Sequence, residues 1–154
     1  MLIPKLIVLA TDLSEASLPA AELAGQWAAQ FGAKLVLAHV FDPTPMVPPI
    51  ALPSAQTMEA RIEAEMIASI QSALDKLRKE KLAQVKEVEV AMLKHPNPAF
   101  AICEESEKRG ADLLVIGTHG RTGIAHFLIG SVAERIVRKS PCPVLTVPPP
   151  RSAE

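Results

Sequence analysis

The sequence predicts one doubly wound α/β domain over residues 1–147: an open parallel sheet of five strands in the order 3-2-1-4-5, with helices on both faces. Three observations predict it. Five short runs rich in Val, Ile and Leu are spread along the chain, each about the length of a strand. Segments of helical spacing alternate strictly with them, which calls for right-handed crossovers onto a parallel sheet. The third run alone shows period two, the mark of an edge strand with one face open to solvent.

The first run, Leu6–Ala10, is apolar throughout, as a strand buried on both faces must be, and it ends at Thr11-Asp12. Asp12, with Ser14 and Glu15, reads as the turn or start signal of the helix that follows. In that helix Leu23, Trp27 and Phe31 recur at four-residue spacing beside Ala20, Ala24 and Ala28, which predicts one apolar face with Trp27 in the core. Gly32 stops it. After the second run, Leu35–Val40, the segment Phe41–Ser54 carries Pro43, Pro45, Pro48, Pro49 and Pro53. Proline at that density predicts a loop of limited flexibility, read either as a plain connector or as a lid over a ligand. The longest helix runs from Ala55 to about Leu82, with Met58, Ile62, Met66, Ile70, Leu74 and Leu77 as its apolar positions.

In the third run, Val88–Leu93, residues Val88, Val90 and Met92 alternate with Glu87, Glu89 and Ala91. Placing this strand at one edge yields the order 3-2-1-4-5. Asn97-Pro98 opens a third helix and Gly110 closes it. The fourth run is Leu113–Gly117, and the last helix, from about Ser131 to Lys139, is expected to show Val132, Ile136 and Val137 to the core. The fifth run, Val144–Val147, falls at the other edge. An apolar edge strand invites pairing, so a homodimer through residues Val144–Val147 is expected. The tail 148–154 is expected to be disordered.

The formal net charge of −1 and the 21 % of charged residues give no reason to expect nucleic acid or a membrane surface as partner. The basic clusters Lys76–Lys81 and Arg135–Lys139 read as solvated helix sides. Cys103 and Cys142 stand apart, without metal-ligand spacing, and suit buried thiols in a reducing compartment. No basic segment precedes the first apolar run, which is too short for a signal sequence or a membrane span, so a cytoplasmic location is expected. His39 and His126 read as structural or surface residues, because no third metal ligand accompanies them.

In such sheets ligands bind beyond the carboxyl ends of the strands, where the strand order reverses. Here that point lies between strands one and four. Strand one ends in Ala10-Thr11-Asp12 and strand four in Ile116-Gly117-Thr118-His119-Gly120-Arg121-Thr122-Gly123. The most polar turn and the most glycine-rich loop therefore meet at one crevice. Gly117, Gly120 and Gly123 permit tight turning and close approach of backbone to a ligand, and Gly130-Ser131 opens a helix whose free N–H groups favour phosphate. The loop is neither a Walker A loop nor Gly-x-Gly-x-x-Gly after strand one. On the residues alone, phosphate binding and plain turn-making both stay open.

Gly117-x2-Gly120-x9-Gly130-Ser131 resembles the ATP-binding signature of the universal stress protein family. The resemblance spans almost the whole chain: Asp12 after the first strand, His39-Val40 closing the second, Gly117-Thr-His-Gly120, and Ser140-Pro-Cys-Pro-Val-Leu-Thr-Val147. It implies ATP or another adenine nucleotide as ligand, with Mg or Mn bound through the phosphates. Asp12 would take the ribose, and backbone at Ala10, Thr11 and Val40 would line the adenine slot. Ile116, Gly117, His119, Gly120, Arg121, Gly130, Ser131 and Val132 would hold ribose and phosphates. It also implies a stress-response binding and signalling module, homodimeric and open to a further protein partner. Where many members carry Gly-x-Pro before the third helix, this chain has Pro96-Asn97-Pro98, a stiffer turn on that side of the pocket.

No residue is assigned a catalytic role. The sequence offers no positioned base, no carboxylate pair for a metal and no lysine in the phosphate loop. Binding with slow or absent turnover is therefore expected. The alternative is a slow ATPase or phosphotransferase using the same pocket.

Overall fold

The computed structural model describes residues 3–42, 53–119 and 129–150. Its elements are β1 (Leu6–Ala10), a single 3₁₀ turn (Glu15–Ser17), α1 (Leu18–Phe31), β2 (Lys34–Phe41), α2 (Pro53–Lys81), β3 (Val88–Lys94), α3 (Pro98–Arg109), β4 (Leu113–Gly117), α4 (Ser131–Lys139) and β5 (Val144–Val147). The strands form one parallel sheet in the order β3-β2-β1-β4-β5, the fold class and order the sequence predicts.

The pleat sorts the core into two layers. Ile7, Leu9, Leu35, Leu37, Leu113 and Val115 point to the side covered by α1 and α2. Val8, Ala10, Val36, Ala38, Leu114 and Ile116 point to the side covered by α3 and α4. Both faces of β1 and β4 are buried, which is why their sequences are apolar without a break.

Several helix faces differ from the expected ones. On α1 the residues against the sheet are Ala20, Ala21, Ala24 and Ala28, whereas Trp27 is only half-buried and Phe31 is exposed. Small side chains let the helix axis come close to the sheet, and the large ones lie along the flank with their rings edge to face. Gly25 is where α1 meets the end of α2: a Cβ there would lie 3.0 Å from both the Lys81 carbonyl oxygen and Leu82 Cδ2. On α4 the core face is Ala133 and Ile136, while Val132 and Val137 are exposed. Helix α2 starts at Pro53, two residues earlier than expected, because proline at the first helical turn gives up no ladder hydrogen bond. Leu74 and Leu77 of α2 are buried, but Met58 and Ile62 near its start are exposed. Residues 43–52, the greater part of the proline-rich segment, lie outside the described residues, as do 151–154 of the expected tail.

The carboxylates at the start of β3 and just before it are not left to solvent alone. Lys34 on β2 reaches Glu87 at 2.9 Å and Glu89 at 3.0 Å, and Arg109 reaches Glu89 at 2.7 Å. Asn97 caps α3 by accepting the Phe100 N–H at 3.1 Å, and Gly110 ends it in the left-handed conformation (φ 66°) that glycine adopts without Cβ strain. Cys103 and Cys142 are free thiols, half-buried rather than buried. No helix among the described residues is long and apolar enough to cross a membrane.

Candidate functional site

β1 is the central strand, with β2 on one side and β4 on the other, so the chain order reverses across it. Beyond the carboxyl ends of these strands opens a cleft of about 290 Å³. It is lined by Ala10 at the end of β1 with Thr11, Asp12 and Ser17 after it, Val40 near the end of β2, Pro98 and Ile102 on α3, Ile116 and Gly117 at the end of β4 with Thr118 and His119 after it, and Gly130 ahead of Ser131, Val132, Ala133 and Ile136 on α4.

The turn after β1 supplies the carboxylate. Asp12 Oδ1 accepts the Ser14 N–H at 3.0 Å and the Ser14 hydroxyl at 2.6 Å, so the turn-forming role expected of Asp12 is real. Among the described residues no partner takes Asp12 Oδ2. Thr11 is fixed on both sides of its peptide units: its N–H donates to the Ala38 carbonyl at 3.0 Å and its carbonyl accepts His39 Nδ1–H at 2.9 Å. A carbonyl only accepts, so Nδ1 carries the proton. Buried His39 is thus a structural residue, as expected; His126 lies outside the described residues.

The end of β2 supplies a main-chain donor and acceptor side by side. In β2 the Lys34 N–H goes to Lys5 and the Ala38 carbonyl takes the Thr11 N–H, whereas the Leu35 N–H goes to Glu87 and the Phe41 carbonyl takes the His95 N–H. Even-numbered residues therefore turn their amides toward β1 and odd-numbered ones toward β3. By that alternation the N–H and C=O of Val40 face the β1 side, where the strand pairing has already ended at Ala10 and Ala38.

The start of α4 supplies positive potential. Its N-cap, Gly130, brings no side chain to the exposed donors, and its own N–H is committed to the Thr118 carbonyl at 2.7 Å. The intrahelical ladder begins with the Glu134 N–H on Gly130, leaving the N–H groups of Ser131, Val132 and Ala133 ahead of it at the cleft. Apolar Pro98, Ile102, Ala133 and Ile136 form the floor. Asp12 is the one carboxylate among the described lining residues, and none of these is lysine or arginine.

Ten of the twelve residues expected at the site are brought together here: Ala10, Thr11, Asp12, Val40, Ile116, Gly117, His119, Gly130, Ser131 and Val132. Gly120 and Arg121 lie outside the described residues. Gly117 does not serve a tight turn: its backbone is not left-handed, and an added Cβ would meet Ser17 and His119 only at ordinary contact distance, 3.5 Å. His119 Nδ1 shares a hydrogen bond with the Thr118 hydroxyl at 2.8 Å. Sequence reasoning missed Ser17, Thr118 and the apolar floor. The hydroxyl five residues after Asp12 was a readable signal for Ser17; the floor residues look like ordinary core positions until two helices meet beneath the loop.

Residues 4–148 match the model of the universal stress protein family. The chain is 39 % identical over 147 residues to Universal stress protein MJ0531 of Methanocaldococcus jannaschii, covering 96 % of this chain and 84 % of that protein. It is 32 % identical over 146 residues to a universal stress protein of Thermus aquaticus, covering 93 % and 98 %. Among solved structures it is similar to a universal stress protein in complex with cAMP, with TM-score 0.67 and 30 % identity over 97 % of this chain and 100 % of that one. It is also similar to the protein MJ0577, with TM-score 0.76 and 27 % identity over 98 % and 100 %.

Proposed function

Because this chain belongs to the universal stress protein family, we propose that it is an adenine-nucleotide-binding module of the stress response, holding ATP or a related adenine nucleotide in the cleft between β1 and β4. The base would lie over Pro98 and Ile102, with its edge on the N–H and C=O of Val40. The ribose hydroxyls would donate to Asp12 Oδ2. The phosphates would lie at the N-terminus of α4, among Gly117, His119, Gly130, Ser131 and Val132, with Gly120 and Arg121 of the same loop closing over them. Mg or Mn would ride on the phosphate oxygens. The module would act in the cytoplasm as a homodimer paired through β5, passing its bound state to a protein partner.

One observation carries this reading: an edge-on main-chain pair, a carboxylate and an uncapped helix N-terminus converge on one cleft at the sheet's switch point. The related structure in complex with cAMP supports the adenine ligand. The test is to denature protein as purified, identify any released small molecule by mass spectrometry, and titrate emptied protein with ATP by calorimetry. A nucleotide bound by wild type and lost from Asp12→Ala is expected. Protein that neither carries nor takes up adenine nucleotide at millimolar levels would overturn the reading, and sustained ADP release lost with the same change would assign an ATPase instead.

A further inference from the structure

The turn after β1 contains a strained residue that nucleotide binding alone does not account for. Leu13 has φ 64°, the one left-handed backbone at a non-glycine among the described residues. A leucine is disfavoured in that conformation by contact of its Cβ with the backbone, so the turn needs something to hold it.

A run of hydrogen bonds does so. The Leu13 N–H donates to Thr11 Oγ1 at 3.0 Å, Thr11 Oγ1 and Ser17 Oγ lie 3.0 Å apart, and Ser17 Oγ donates to the Ser14 carbonyl at 2.7 Å. The Ser17 hydroxyl has a single proton, directed to Ser14. The Thr11 hydroxyl must then donate to Ser17 and accept from Leu13, and this one proton order satisfies every group. Both hydroxyls are buried, so no water takes the place of either without cost. Ser14, at the end of this run, is also the residue that donates twice to Asp12 Oδ1. Thr11 and Ser17 thereby fix the carboxylate through Ser14, with Oδ1 consumed and Oδ2 left for a ligand.

We propose that Thr11 and Ser17 are positioning residues that hold Asp12 as a one-oxygen acceptor and so set a preference for nucleotides with free ribose hydroxyls. The proposal rests on the nucleotide reading above. A flexible carboxylate swings into water when the ribose offers no hydroxyl, and an analogue lacking hydroxyls then loses little. A clamped one stays beside the ligand unpaired, and the analogue is rejected.

The test compares ATP with 2′,3′-dideoxy-ATP by calorimetry in wild type, Thr11→Val, Thr11→Ser and Ser17→Ala. Wild type is expected to prefer ATP by about tenfold or more, Thr11→Val and Ser17→Ala to lose most of that ratio, and Thr11→Ser to keep it. Variants that weaken both nucleotides equally and retain the wild-type ratio would overturn the proposal, because that is the signature of a merely structural role. A second measurement needs no nucleotide: Leu13 amide hydrogen exchange should quicken at least tenfold in ligand-free Thr11→Val, and unchanged exchange would overturn the clamp itself. Wild type that binds neither nucleotide would overturn the nucleotide reading and the selectivity with it, whatever the exchange shows.

Discussion

The Gly130 N–H donates to the Thr118 carbonyl at 2.7 Å, fixing the N-cap of α4 against the residue that follows β4. Gly130 itself has φ −58° and ψ 151°, extended backbone open to any residue, so its glycine is not required by the helix start. Gly130→Asp should therefore cap α4 through its side chain and complement the helix dipole, raising stability by about 0.5 kcal/mol. The same carboxylate would occupy the place of a phosphate. Nucleotide affinity should fall about tenfold while the thermal midpoint rises by about 2 °C. Calorimetry and a melting curve on the same sample check both signs.

The carbonyls of Pro143 and Val147 point to β4, so Val144 and Thr146 turn their amides to the free edge. Thr146→Pro should remove one outward donor and leave the β4–β5 ladder intact. Sedimentation at micromolar concentration should show a dimer for wild type and a folded monomer for the variant. A wild-type monomer would dispose of the edge dimer.

Glu89 ties the sheet edge to α3. The Arg109 guanidinium hydrogen-bonded to it, with Lys34 beside it, holds its carboxyl below the ordinary value of 4.5. A depressed carboxylate stabilises the fold above its unfolded pKa and loses that contribution as pH falls through the lower folded value. Stability should thus decline below pH 4.5 more steeply in wild type than in Glu89→Gln. Lys34 carries the opposite sign: hydrogen bonds from it to Glu87 and Glu89 raise its pKa above 10.5, so its contribution fades only as pH climbs past that. These groups lie at the surface, and salt should shrink the acid difference. Urea midpoints at pH 6 and pH 3.5, with and without salt, test this.

Gly25→Val should destabilise by about 2 kcal/mol despite removing a helical glycine, because the added atoms press on the Lys81 carbonyl and Leu82 where α1 meets α2. Denaturant unfolding checks it. A neutral or stabilising change would mean that the end of α2 yields easily.

Strands and their order were legible because burial on both faces demands unbroken apolar runs, and Glu87 and Glu89 betray an edge. Helix faces were less so. Leu23, Trp27 and Phe31 match helical spacing as well as the alanines do, but spacing does not say which face lies close to the sheet; Ala20, Ala24 and Ala28 permit the closer approach. Val137 shows the same limit on α4, where Ala133 and Ile136 are the core residues. At the site, Asp12 and Gly130-Ser131 could be read because turn residues and helix starts have local signatures. Ser17 lies close enough to Asp12 in the chain to have been read as well, whereas the floor of Ile102 and Ile136 arises only when separate elements meet, and no local pattern announces it.

In the proposed nucleotide complex Val40 would offer the base a peptide group and not a side chain. Replacing valine there would leave that donor and acceptor in place, so point substitution should have little purchase on base recognition at this position. What would control it is where β1 stops: two more residues paired to β2, with Asp12 opposite Val40, would satisfy Val40 internally and seal the slot. The specificity of this cleft is in that respect written in a length.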